Sequence, residues 1–236
     1  MTRRLAAFLG VLVLAACSGG GGGEDGKATL WVTRDRGAEV LHEAEVPAGV
    51  TVLQALDREA DVDTRFGGRF VQAIDGVEGS LTAGRDWFYF VNGYEADRGA
   101  AEYRLRAGDV VWWDLRSWRG GRERQPVVVG AFPEPFVHGY DGRTRPAAVR
   151  YADDSLAAAA RRIGELIGAD SVAGVSVPAP DGANVLRLER GGPRFVARLR
   201  NGGGAGAPVE FVLSSGATRL ADDPDAARFR YEGLAP

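Results

Sequence analysis

Cysteine is all but missing from this chain: among 236 residues only Cys17 carries a thiol. No intramolecular disulfide can form, so the fold rests on its core alone. A cysteine-based metal site is excluded with it, and the two histidines, His42 and His138, stand at no ligand spacing from each other. Lysine is reduced to Lys27, and a net charge of −3 gives no positive excess to attract nucleic acid or an anionic membrane surface. Long hydrophobic runs are missing as well. The run at residues 5–14 holds ten residues, about half of the ~20 that a membrane-crossing helix needs. No Gly-x-Ser-x-Gly elbow occurs, which leaves His138 without a recognisable nucleophile, and Ser155 and Ser214 fall in cap or turn contexts. The Gly-rich tracts at 19–23 and 202–206 do not join a strand to a helix, so neither is built as a phosphate-cradling loop. Asp222, Asp223 and Asp225 lack the spacing and closing glutamate of an EF-hand and read as a solvated turn. Neither a catalytic constellation, nor a metal site, nor a cofactor follows from these residues.

The first sixteen residues read as a targeting segment, to be set aside before the fold is considered. Arg3 and Arg4 form a basic n-region and residues 5–14 an apolar h-region. The Leu14-Ala15-Ala16-Cys17 sequence that follows resembles the lipobox of lipoprotein signal peptidase. That resemblance implies cleavage before Cys17 and a diacylglyceryl group on its sulfur, and two acyl chains suffice for stable anchoring. The expected location is therefore the cell envelope, extracytoplasmic and lipid-anchored to the membrane. The mature chain has 220 residues with 27 basic and 32 acidic side chains, a net charge of −5. Residues 17–27 are a Gly-rich tether, with a root-mean-square reach of about 15–20 Å.

What the chain has in abundance is aromatic side chains in one place. Residues 85–118 hold four of the five tryptophans and five of the sixteen Phe and Tyr residues. Two apolar runs there read as strands, and Asn92-Gly93 is a strong turn signal because both residues tolerate positive φ. Upstream, residues 28–33 and 39–46 read as a hairpin around Asp35 and Gly37. Thr51 and Gln54 have capping-box spacing for a helix to about Ala60. Residues 69–74 then give a strand. The order ββαβββ over residues 28–118 is the β-grasp arrangement.

The motifs VTVLQAL (50–56), FVQAIDG (70–76), DWFYFVNG (86–93) and YRLRAGDVVWW (103–113) resemble the DUF4430 domain, the transcobalamin-like C-terminal domain. Order and spacing are kept throughout. The resemblance implies a β-grasp-like fold, and in transcobalamins the related domain closes over one face of a corrinoid held against a larger helical barrel. No such barrel follows here. After a basic link, residues 127–236 read as a second, small domain, so the fold class expected is α+β with two units. Its expected elements are strands at 127–132, 147–151, 172–177, 185–188, 195–199 and 209–213, a helix at 155–167, and an edge strand at 229–231.

Strand parity divides the aromatics. Trp87, Tyr89 and Trp113 fall on the face that a β-grasp sheet turns to its helix. Phe88, Phe90 and Trp112 fall on the opposite face, and the resemblance implies a small or polar residue at position 90 and a charged one at 112. With Tyr94 and Trp118 these form the candidate surface for a ligand or partner, with packing by the second domain as the competing explanation. The function expected is a non-enzymatic binding protein that presents its β-grasp domain to a small or medium ligand, corrinoid-like by resemblance. The alternative is an envelope protein–protein interaction module that docks on a transporter or surface protein.

Overall fold

The computed structural model describes residues 26–119 and 124–235. Cys17, most of the tether and part of the basic link lie outside the described residues. Strands β1 (Lys27–Arg34) and β2 (Glu39–Pro47) pair as an antiparallel hairpin whose turn puts Asp35, Arg36 and Gly37 at positive φ. Helix α1 (Val52–Glu59) opens on the expected capping box. The Gln54 amide donates to Thr51 Oγ1 at 3.1 Å, and the Thr51 amide donates to Gln54 Oε1 at 2.9 Å. Two helix-start donors are thereby satisfied, and Val52, Ala55 and Leu56 face the core.

Strands β3 (Val62–Arg65), β4 (Phe70–Ile74) and β5 (Val77–Glu78) form a small antiparallel sheet of their own. β3 was not expected; it lies largely exposed at the sheet edge, so its sequence carries little apolar signal. Strands β6 (Arg85–Val91), β7 (Tyr94–Glu95) and β8 (Val110–Ser117) complete the main sheet, whose order is β2-β1-β8-β6-β7. β8 runs parallel to β1 and antiparallel to β6. A hairpin, a crossing helix and a last strand lying parallel beside the first are the β-grasp arrangement.

The chain then crosses to the second unit through a link that runs on to residue 146 and holds one short helix, α2 (Glu134–Val137). The strand expected at 127–132 is absent; Val127 forms only a single bridge, with Tyr94. Gly130 explains why a β-branched run fails to extend here. Its Cα is so closely packed that a Cβ would sit 2.6 Å from the backbone of Arg230 and 2.8 Å from the Trp112 ring. The second sheet, in order β10-β9-β11-β13-β12, comprises β9 (Ala147–Tyr151), β10 (Ser171–Gly174), β11 (Asn184–Glu189), β12 (Arg194–Leu199) and β13 (Val209–Ser214). All but β12 are mutually parallel. Helix α3 (Ala157–Leu166) makes the β9-to-β10 crossover, and α4 (Ala217–Asp222) packs beside it. Residues 229–231 form no edge strand; they follow a 3-10 turn, with Phe229 at φ 58°. The whole is α+β as expected. One buried apolar cluster runs continuously through both units, from Leu30 and Leu56 to Phe195 and Leu213. Among the described residues no helix is long and apolar enough to cross a membrane.

Candidate functional site

Parity places the expected core aromatics correctly. Trp87, Tyr89 and Trp113 are buried under α1, with Trp87 Nε1 donating to the Val77 carbonyl at 3.0 Å and the Tyr89 hydroxyl to the Arg98 carbonyl at 2.6 Å. The other face is not an open surface. Trp31, Trp112 and Phe90 stand side by side across β1, β8 and β6, and Val128, Ala131 and Tyr231 close over them. Phe90 lies 5.6 Å from Trp112 and 5.4 Å from Tyr231, ring centre to ring centre, and Phe229 stands edge-on to Trp31 at 4.9 Å. Trp112 donates its indole N–H to Thr33 Oγ1 at 2.7 Å. Phe90 and Trp112, expected as a ligand or partner surface, are therefore interior, because the link and the C-terminal segment supply the cover. Tyr94 is interior too, donating to the Ala207 carbonyl at 3.3 Å and packing on Tyr140. Phe88 is half-buried beneath the Arg116 guanidinium, 3.7 Å from its ring centre, and Trp118 is half-exposed just past the end of β8.

Two family motifs prove to be joints. The Asn92 side chain accepts from the Val110 amide at 2.8 Å and donates to Asp109 Oδ1 at 2.7 Å and to the Gly139 carbonyl at 3.0 Å. Asp109 Oδ2 in turn accepts from the Arg106 amide at 2.8 Å. Burial raises the Asp109 carboxyl above the usual carboxylate range, against the pull of these hydrogen bonds. The VNG turn and the following GD pair thus lock β6, β8 and the link together.

The histidines do not join a catalytic set. His42 pairs with Asp75, whose carboxyl is held below its ordinary range by the Asp61 amide and by His42. His138 Nδ1 contacts Glu134, and its other nitrogen rests against Gly108, where a Cβ would come within 2.3 Å. Burial raises the Glu134 carboxyl. Among the described residues no group of three or more His, Cys, Asp or Glu side chains could hold a metal ion.

The exposed apolar feature lies elsewhere, on the small sheet. Phe66, in the β3–β4 turn, is 81% exposed, and Leu81, in the loop before β6, is 75% exposed. They rim a cleft of about 410 Å³ with Phe70, Gln72, Ser80 and Asp86. Asp86 at its base accepts from the Trp87 amide at 3.1 Å, and burial holds its carboxyl above the usual range. Gly79 keeps the base open to that carboxylate, since a Cβ there would meet Asp86 Oδ1 at 2.6 Å. Sequence reasoning missed this cleft. Its signal was a large apolar residue within each of two turn segments, FGG and SLTAG, where polar residues are the norm.

Residues 49–117 match the model of a domain family described as Domain of unknown function (DUF4430), which confirms the resemblance from the start of α1 to the end of β8. No curated protein matches. Among solved structures, haptocorrin in complex with Cbi is similar over 39% of this chain and 25% of its own, at 17% identity and a TM-score of 0.34. A protein from Ruminococcus gnavus, described as a candidate metal binding protein, is similar over 39% of this chain and 98% of its own, at 16% identity and a TM-score of 0.33. The chain thus spans about a quarter of the haptocorrin chain.

Proposed function

We propose that this chain is a non-enzymatic binding protein of the cell envelope, anchored by lipid on Cys17, and that the cleft rimmed by Phe66 and Leu81 takes a small or medium ligand. The observation that carries the reading is the pair of large apolar side chains left in water around a cleft of about 410 Å³, a size in the range of ligand sites. Their exposure is unfavourable unless something covers them. Phe70 beside them would stack on a flat apolar face, while Asp86 and Gln72 would receive polar hydrogens of the same ligand. The family resemblance makes a corrinoid-like compound the first class to try.

Titration with cobalamin and with planar aromatic solutes, followed by tryptophan fluorescence, tests this directly, because Trp87 follows Asp86 in the chain and bonds to Val77, next to Glu78 of the cleft wall. Phe66→Ser and Leu81→Ser should each weaken binding about 10- to 100-fold, the equivalent of about 1.5–3 kcal/mol of lost apolar contact, and leave the fold intact because both side chains project into water. Binding that is indifferent to both substitutions would remove the cleft from consideration. The prominence of Phe66 also favours the alternative, a docked protein. The same two variants would then lose co-purification of an envelope partner while binding none of the solutes. The anchor is tested separately: Cys17→Ser should move the protein from the detergent phase to the aqueous phase, or leave it unprocessed, as read by intact mass.

A further inference from the structure

We propose a second binding site, for the phosphate or carboxylate group of a small solute, at the seam between the two units. A polar cavity of about 310 Å³ lies there, walled by Arg98 and Asp97 from the β-grasp unit, by Tyr140, Asp141, Arg143 and Arg145 from the link, and by the Gly204–Ala207 turn from the second unit. A neighbouring cavity of about 370 Å³ shares Arg98 and Asp141 and adds Arg104 and Arg106. Five guanidinium groups therefore converge on one seam of a chain whose net charge is −3.

Both carboxylates of the first cavity are already committed, and Glu102 lies exposed on the wall of the second. Asp97 Oδ1 accepts from the Tyr140 hydroxyl at 2.7 Å and from Arg98 Nε at 2.9 Å. Burial pushes its carboxyl up, yet these hydrogen bonds and the Arg98 charge together hold it below the ordinary range, so it stays an anion. Asp141 is shared between Arg98 at 3.4 Å and Arg106 at 3.2 Å, and its amide donates to the Tyr103 hydroxyl at 3.0 Å. Arg145 and Arg143 are left. Arg145 spends only its Nε, on the Gly206 carbonyl at 2.8 Å, and is held in place by that bond. Arg143 is exposed, and among the described residues its side chain has no hydrogen-bond or ion-pair partner. Two planar forks with unspent donors, set in a concave wall whose acids are neutralised, suit a bidentate oxyanion. The Gly-rich run is not a phosphate loop of the strand-to-helix kind. It contributes a wall whose side chains are no larger than the Ala205 and Ala207 methyls, so that a ligand can approach the arginines. The site draws residues from both units, so an occupant would also tighten the seam.

Isothermal titration of the full chain with inorganic phosphate and with citrate tests the assignment, each at constant ionic strength against chloride. One equivalent of either anion should bind with micromolar to millimolar affinity and raise the melting temperature. Arg143→Ala should weaken that binding about tenfold, and the pair Arg143→Ala with Arg145→Ala should abolish it. Arg143→Ala should leave the anion-free melting temperature unchanged, which separates a lost ligand contact from a damaged fold. Phosphate bound without citrate, or the reverse, identifies the group the site takes. The proposal is overturned if neither anion binds, if Arg143→Ala binds as the parent does, or if only vesicles containing phosphatidylglycerol bind, since that would make the arginines a membrane-contact patch.

Discussion

Trp112→Ala should destabilise the protein by about 3–5 kcal/mol, the range for removing a buried aromatic, measured by urea denaturation followed by circular dichroism. The indole is fully buried at the centre of the second aromatic cluster, with Trp31, Phe90, Phe229 and Tyr231 around it and its N–H bonded to Thr33. Truncation leaves a cavity that neighbours on both units cannot fill, because Gly130 and the backbone of Arg230 are already in contact there. The Thr33 hydroxyl loses the indole N–H that it accepts from but still donates to Asp114 at 2.6 Å, so the cost is mainly that of the cavity. The loss should appear in the unfolding of the whole chain, since the cluster joins the β-grasp sheet to the link and the C-terminal segment. A cost below about 1 kcal/mol, accompanied by lost ligand binding, would mean that this face is open in solution and that the aromatics are a surface after all.

The same residues show how far sequence can be read. Parity sorted Trp87, Tyr89 and Trp113 from Phe90 and Trp112 correctly, because side-chain alternation is a property of the strand itself. It could not say which face was wet, since that depends on what the rest of the chain lays over it. The signal was nonetheless in the runs WFYFV and VVWW, which are continuously apolar. Strands buried on both faces read this way, whereas one-sided strands alternate. Asn92 was legible as a turn residue and Asp109 as part of a motif, but not the two as partners, since a hydrogen bond across seventeen positions leaves no local mark. In the second unit the helix and all five strands of the sheet were found by their periodicity. The segment at 127–132 failed because a tertiary contact at Gly130 overrode a local β preference. Phe66 and Leu81 escaped notice because single apolar residues in turns have no period.

One buried carboxylate also ties down the C-terminal segment, and Asp114→Ala should cost about 3–5 kcal/mol, comparable with breaking a buried charged network. Asp114 is fully buried on β8 and accepts four hydrogen bonds: from Thr33 Oγ1 at 2.6 Å, from the amides of Arg36 and Gly37 at 3.1 Å each, and from the Tyr231 hydroxyl at 2.9 Å. Alanine would leave these donors facing a dry cavity, and a buried donor without an acceptor loses its full desolvation free energy. Tyr231→Phe alone should cost about 1.5–3 kcal/mol, the worth of one hydrogen bond to a charged group. The two losses should fall well short of adding. In the Asp114→Ala background the hydroxyl has no acceptor to lose, so Tyr231→Phe should become nearly neutral, giving a coupling of at least about 1 kcal/mol in a double-mutant cycle. The phenol adds a pH signature. Burial, then the Asp114 charge, raise the Tyr231 pKa well above its ordinary value. A group whose folded pKa is raised contributes stability that is complete below its unfolded value, about 10 for tyrosine, and is lost as pH rises past it. Wild type should therefore lose stability steeply above about pH 10, and Tyr231→Phe should lose it less steeply by about one proton's worth. Parallel slopes for the two proteins would show that Tyr231 does not stay buried against Asp114, and that the C-terminal segment does not close the aromatic face.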